Sequence, residues 1–357
     1  MGIFSVNNIE LSFNALLFSV LIATCVGFIV AEDNGVNGTS GFRESLQDFT
    51  TKNSNNSHSF QNATKYAYDR GWGSEGSGDG QFQRIHDLDF NPNETLLYVV
   101  DRDNSRIQVF DKMGNFKFKW PQTTTKGNAD GQFRVPYSVD VDSKGDVWVA
   151  DRNNNRIQKF DKDGMFLFKF GSSGTGNGEF NLPRQIAVDR TVQFLYVVDS
   201  ENHRVQVFDS SGKYIKQWGG KGNSDGKFNL PISIVMDNNG DLIVNDRGTG
   251  RVQKFDRDGN LILKFGSIGN GPSQFGIAEH MGVDKYNNIY IDNAGSEAGV
   301  DSQAKVMKFS PTGKFITKWG TKGEFVDPEH LAIDSKGNVY VSDRGNNNIQ
   351  VFKPVVE

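Results

Sequence analysis

Histidine and carboxylate fall together at one recurring place in this chain, and that pairing is the one that holds metal ions or polar ligands. A Phe recurs at positions 82, 133, 180, 228, 275 and 325, and four and five residues beyond it stand His86-Asp87, Tyr137-Ser138, Arg184-Gln185, Ile232-Ser233, Glu279-His280 and Glu329-His330. One residue further on, Leu88, Val139, Ile186, Ile234, Met281 and Leu331 are uniformly apolar. Three of the five His residues of the chain, with three carboxylates, therefore sit in three of the six copies. Imidazole with carboxylate suits zinc or iron, so His280, His330 and Glu329 are the metal-ligand candidates, with zinc, iron or calcium as the ions to test. His86, Asp87 and Glu279 join them as candidate lining of a ligand-binding rim. No complete cofactor set is written in these residues, and the principal expectation is a site without a cofactor.

The elements that position these residues follow from a longer repeat. Copies of one pattern begin at Asp101, Asp151, Asp199, Asp246, Asp292 and Asp343, which are 50, 48, 47, 46 and 51 residues apart. A period of this size with short β-type segments is the mark of a propeller, whose four-stranded blades cannot bury both faces without neighbours. In the copy from 133 to 170, residues 138–142 read as the innermost strand and 146–150 as the second. Residues 156–160 are the third strand, and 165–170 the outermost, after the hairpin turn 161–164. The six linker Phe residues read as anchors between neighbouring blades. The last copy lacks an outermost strand, and residues 64–72, which resemble the outer-strand ending at Trp218, can supply it. The predicted fold is all-β, a six-bladed propeller over 65–357 closed by that strand.

The order Gly-x-Phe, Pro, an apolar stretch ending in Asp, then Asp-Arg-x-Asn-x-Arg-Ile-Gln-x-Phe resembles the NHL repeat, over about residues 65–354. The resemblance implies a six-bladed propeller and no single activity, because NHL propellers include RNA-binding, protein-binding and sensor modules and one class of amidating lyase. Those lyases are expected to place metal-binding His directly after the linker Pro. Here Tyr137, Arg184, Ile232 and Glu329 follow Pro136, Pro183, Pro231 and Pro328, so the lyase activity does not carry over.

Six copies also act as an internal control, since a residue present in nearly every blade is a device of the fold. Asp101-Arg102, Asp151-Arg152, Asp246-Arg247 and Asp343-Arg344, with Arg106, Arg156, Arg204 and Arg251, read as turns held by side-chain bonds and salt bridges. Copies five, six and one depart together at Glu279, His280, Glu329, His330, His86 and Asp87. Neighbouring residues on a strand point to opposite faces, so these six are not expected to converge, and His86 is one position out of register with His280 and His330. Copy five also carries an insertion of eight residues within 293–303, including Glu297 and Asp301, which joins the second and third strands at the same rim.

The apolar run 11–31 reads as a signal peptide cut near Ala31 or as an uncleaved anchor. Residues 32–64, rich in Asn, Ser, Gly and Thr, read as a flexible stalk. Asn37, Asn55, Asn62 and Asn93 match the glycosylation acceptor pattern. The only cysteine, Cys25, lies in the apolar run, so disulfides are excluded from the propeller. A net charge of −4 and scattered Lys argue against a nucleic-acid partner. These features imply an extracellular or cell-surface recognition scaffold, secreted or membrane-anchored and monomeric, for a protein, peptide or glycan. The enzyme alternative is a metal-dependent lyase or hydrolase at the channel mouth.

Overall fold

The computed structural model describes residue 61 and residues 63–122, 125–269, 271–276, 278–294, 304–320 and 324–355. Residues 11–31, most of the proposed stalk, and the copy-five insertion lie outside these described residues. So do Asn37, Asn55, Asn62, Glu297 and Asp301. Among the described residues no helix is long and apolar enough to cross a membrane.

Six four-stranded antiparallel sheets form the blades. The innermost strands are Ile85–Phe90, Pro136–Val141, Pro183–Val188, Pro231–Met236, Ala278–Val283 and Pro328–Ile333. They contact one another in chain order, and the sixth meets the first, which closes a ring around a central channel. In the second blade the remaining strands are Val147–Asp151, Arg156–Phe160 and Phe166–Phe170, within one or two residues of the expected bounds. The sixth blade takes its outer strand from Tyr66–Trp72, which pairs antiparallel with Asn348–Pro354 in the register Trp72 to Ile349 and Tyr68 to Phe352. Ring closure thus converts two unpaired sheet edges into a hydrogen-bonded ladder.

Packing between blades follows from the repeated aromatics. All six linker Phe residues are buried, and Phe82 packs both against Phe110 of the first blade and against Ile349 and Val351 of the last. Burial of one such ring contributes roughly 1.5–3 kcal/mol, so the linkers fasten blade to blade as well as connecting them. The outer hairpins meet the preceding blade as closely. A Cβ on Gly164, whose φ is +85°, would lie 2.6 Å from a ring atom of Trp120, so the turn requires glycine both for conformation and for space.

One local irregularity positions the channel residues. In every blade the register between first and second strands shifts at the start of the inner strand, between Pro136 and Ser138, for example, or Pro328 and His330. Such a bulge sets an extra residue against one partner and re-aims the side chains beside it. The expectation that consecutive residues here must face apart is overturned, because strict alternation applies only to an unbroken pleat. The first linker keeps the common register: Ile85 pairs with Asp101 as Pro136 pairs with Asp151.

Candidate functional site

Each Asp that opens a repeat lies at the end of a second strand and is buried, its carboxylate capping the linker leading to an inner strand. Asp151 accepts the Arg134 N–H at 2.7 Å, Asp199 the Asn181 N–H at 2.7 Å, and Asp292 the His280 N–H at 2.8 Å. The arginine five residues on completes the clamp. Arg106 donates to Asp101 and to the carbonyls of Ser77, Gly78 and Gln81, and Arg156 and Arg204 repeat the arrangement. For these residues the reading as devices of the fold holds.

It is incomplete for the arginine that directly follows the Asp: Arg247 and Arg344 form salt bridges, and Arg102 and Arg152 do not hold the turn. Arg102, Arg152, Arg247 and Arg344 leave the turn and reach the residues at the start of the inner strands. Arg247 meets Glu279 at 3.1 Å, and Arg344 meets Glu329 at 3.0 Å and Asp327 at 2.6 Å. Arg102 and Arg152 lie instead over the ring of Tyr137, with guanidinium carbons 5.0 and 4.7 Å from its centroid, and Arg184 adds a third at 5.6 Å. Blades three and five have Ser200 and Asn293 where the other turns have arginine, and Ser200 is bonded to the Pro231 carbonyl; Arg184 on the inner strand of blade three is that blade's cation at the mouth.

The bulge brings the His and carboxylate candidates of blades five, six and one together. The rings of His86 and His280 are 5.1 Å apart, as are those of His280 and His330, and His86 lies 4.1 Å from Tyr137. His86 Nε2 stands 2.9 Å from Glu329 Oε1, a close contact without the angle of a hydrogen bond. His330 Nε2 lies 2.8 Å from both Asp87 Oδ1 and Gln185 Nε2, and so reaches blade three on the far side of the channel. Gln185 in turn accepts the Ile234 N–H at 2.9 Å, and Asp87 that of Val139 at 3.0 Å. These links close the channel beneath the mouth.

The expected metal set of His280, His330 and Glu329 is not assembled as ligands. Glu329 is engaged by Arg344, and His330 Nε2 is held between Asp87 and Gln185. Among the described residues no group of three His, Cys, Asp or Glu could hold a metal ion. Asn93, the glycosylation candidate within the described residues, is exposed and accepts a hydrogen bond from the Thr95 hydroxyl at 2.7 Å.

Burial and neighbouring cations set the protonation of the mouth. His86 is pushed well below the ordinary imidazole range by burial and then by Arg102, against attraction from Asp87. His280 is lowered by burial and by the two other histidines. Burial raises Glu279 to about 7, helped by Glu329 and opposed by Arg247. Arg152 is lowered, first by burial and then by Arg184 and Arg102, with Tyr137 and Glu201 acting the other way.

Below the closure lies a cavity of about 320 Å³, lined by apolar inner-strand residues and by Asp89 and Asp140. Their carboxyls share a hydrogen bond, and burial raises Asp89 to about 6 and Asp140 well above the usual range. Nothing in the residue pattern singles out this pair, because acidic residues in the middle of inner strands read as ordinary strand positions.

A model of a 6-bladed beta-propeller matches residues 136–218, and NHL repeat models match 228–255 and 325–352. No curated protein matches the chain. Among solved structures the chain is similar to a protein of unknown function from Bacteroides thetaiotaomicron, at 18% identity, TM-score 0.61, over 82% of this chain and 76% of that one. It is also similar to virginiamycin B lyase from Staphylococcus aureus, at 13% identity and TM-score 0.56 over 82% and 99% of the two chains. A gluconolactonase from Xanthomonas campestris aligns at 13% identity and TM-score 0.57 over 77% and 87%. At these identities the likeness concerns the fold alone. The matched models and the six closed sheets agree: the chain is a six-bladed β-propeller that carries NHL repeats at 228–255 and 325–352.

Proposed function

We propose that this propeller is an exported or membrane-tethered recognition scaffold that binds a protein, peptide or glycan on its linker and insertion rim. The observation that carries the reading is the gathering of Arg102, Arg152 and Arg184 over Tyr137 at a partly exposed rim. Charge concentrated at the mouth of a rigid ring attracts and orients an anionic partner. The insertion within 293–303 joins strands whose ends, at Asn293 and Lys305, are paired on the same rim. In this reading it contributes to recognition, as long loops on rigid scaffolds do. Residues 11–31 direct the chain to the membrane, and 32–64 tether it. Asn37, Asn55, Asn62 and Asn93 are the glycosylation sites of this reading, and the propeller acts as a monomer at the cell surface.

The test is capture of surface and secreted components by the full chain, beside a variant lacking residues 295–302. Ligands retained by the wild type and lost with the deletion support the reading. The same set retained by both variants rejects the part assigned to the insertion.

A further inference from the structure

We propose that the mouth above Tyr137 is a carboxylate-binding site for an acidic peptide, clasped by Arg102, Arg152 and Arg184; this deepens, and rests on, the reading of the rim as a recognition surface. Three guanidinium groups lie within 5.6 Å of one aromatic centroid. The Nε of each is buried without a hydrogen-bond partner. Arg102 comes no closer than 3.6 Å to the carboxylate of Asp103, and Arg152 makes one long bond, 3.3 Å, to Asn153. Buried donors left unpaired carry a desolvation cost that a bound acceptor removes.

The kind of acceptor is indicated by the rest of the ring. At the first inner-strand position after the linker, blades five and six place Glu279 and Glu329, and each meets a turn arginine, at 3.1 and 3.0 Å. Blades one to three place His86, Tyr137 and Arg184 at that position, so Arg102 and Arg152 meet no glutamate there in an ion pair, although Glu201 is near enough to Arg152 to act on it. A carboxylate from outside would stand where the repeat elsewhere supplies one of its own. Guanidinium suits that group because its planar fork matches the two oxygens.

The shape of the site favours a carboxylate on a flexible stem. Tyr137 is only 7% exposed, and the three guanidiniums lie against its ring, so it offers no bare face on which a sugar could stack. The bridge from His330 to Gln185 limits the depth of the mouth. An Asp or Glu side chain, or a chain-terminal carboxylate, can enter such a space end-on, whereas a ring-borne uronate cannot.

Calorimetric titration of the full chain with pentaglutamate, at low and high salt, tests the assignment. Binding is expected, weaker at high salt, and weaker by about tenfold or more in Arg184→Gln or Arg102→Gln. Arg184→Lys, which keeps the charge and loses the fork, is expected to fall between Arg184→Gln and wild type. Lys162→Gln, an equal loss of charge on an exposed hairpin, is expected to bind as wild type. The melting midpoint of each variant is measured first, and the two arginine sites give independent readings should one variant not fold. Absent pentaglutamate binding, an equal loss in Lys162→Gln, or tighter binding of trigalacturonate than of pentaglutamate would overturn the proposal. Insertion-dependent capture that persists without pentaglutamate binding removes the acidic peptide and leaves the recognition reading standing. Pentaglutamate binding with insertion-independent capture does the reverse.

Discussion

The two halves of the channel mouth are built from the same repeat and reach opposite electrostatic outcomes. On the side of blades four to six, Arg247 and Arg344 are met by Glu279 and Glu329, and the histidines of blades five and six stand beside them. On the side of blades one to three, Arg102, Arg152 and Arg184 crowd one tyrosine ring. Each half has two turn arginines, with Ser200 and Asn293 at the corresponding positions of blades three and five. What differs is a single position at the start of each inner strand, so one residue per blade decides whether a fixed cation is neutralised within the fold or left to face a partner.

Removing a partner from the compensated half should have the largest effect. Glu329→Ala strands Arg344, partly relieved by Asp327, and leaves His86 beside a void; a loss of about 2–4 kcal/mol in urea unfolding is expected. A loss below about 1 kcal/mol would show that the pairing matters little and would dissolve the contrast.

The pH dependence of the same half sharpens the comparison. Glu279 titrates near 7 in the fold, against its ordinary value of 4.5. The folded chain therefore binds more protons than the unfolded chain between those values, and stability falls as pH rises through that window. Glu279→Gln removes this slope. Relative to wild type it should gain stability, on the order of 1–3 kcal/mol, as pH is raised from about 4.5 to about 7. A constant difference across that range would place the Glu279 carboxyl in its ordinary state and count against the burial argument.

The smallest effect is expected in the open half. Arg184→Gln removes one of three mutually repelling cations and no close ion pair, while giving up some attraction to Glu279 and Glu329, so its stability should stay within about 0.5 kcal/mol of wild type in the same urea experiment. A loss comparable to that of Glu329→Ala would mean that Arg184 is held by the fold, and the two halves would no longer differ in kind.

Much of the architecture could be read from residue pattern alone, because it rests on repetition. The period, the linker Phe anchors and the strand lent to the last blade each leave the same mark several times, and Phe82 packing between first and last blades is what that mark predicts. The mouth was only half legible. His86, Glu279, His280, Glu329 and His330 stand out by residue type, yet alternation along a strand argued against their meeting, and a bulge without a residue signature of its own brings them together. Arg102 and Arg152 were hidden for the opposite reason. Repetition made them resemble Arg106 and Arg156, and only the direction in which the side chains leave the turn separates a clamp on the linker from a cation at the mouth.

The strand Tyr66–Trp72 has a consequence for how the protein is made. Its ladder partner, Asn348–Pro354, leaves the ribosome only after the five intervening blades have been synthesised. Until then the early strand has no edge to join, and blade one has no sixth blade against which to bury Phe82. The ring therefore cannot be completed during most of its translation, and the exposed edges of a half-made circle are the surface that chaperones would have to guard.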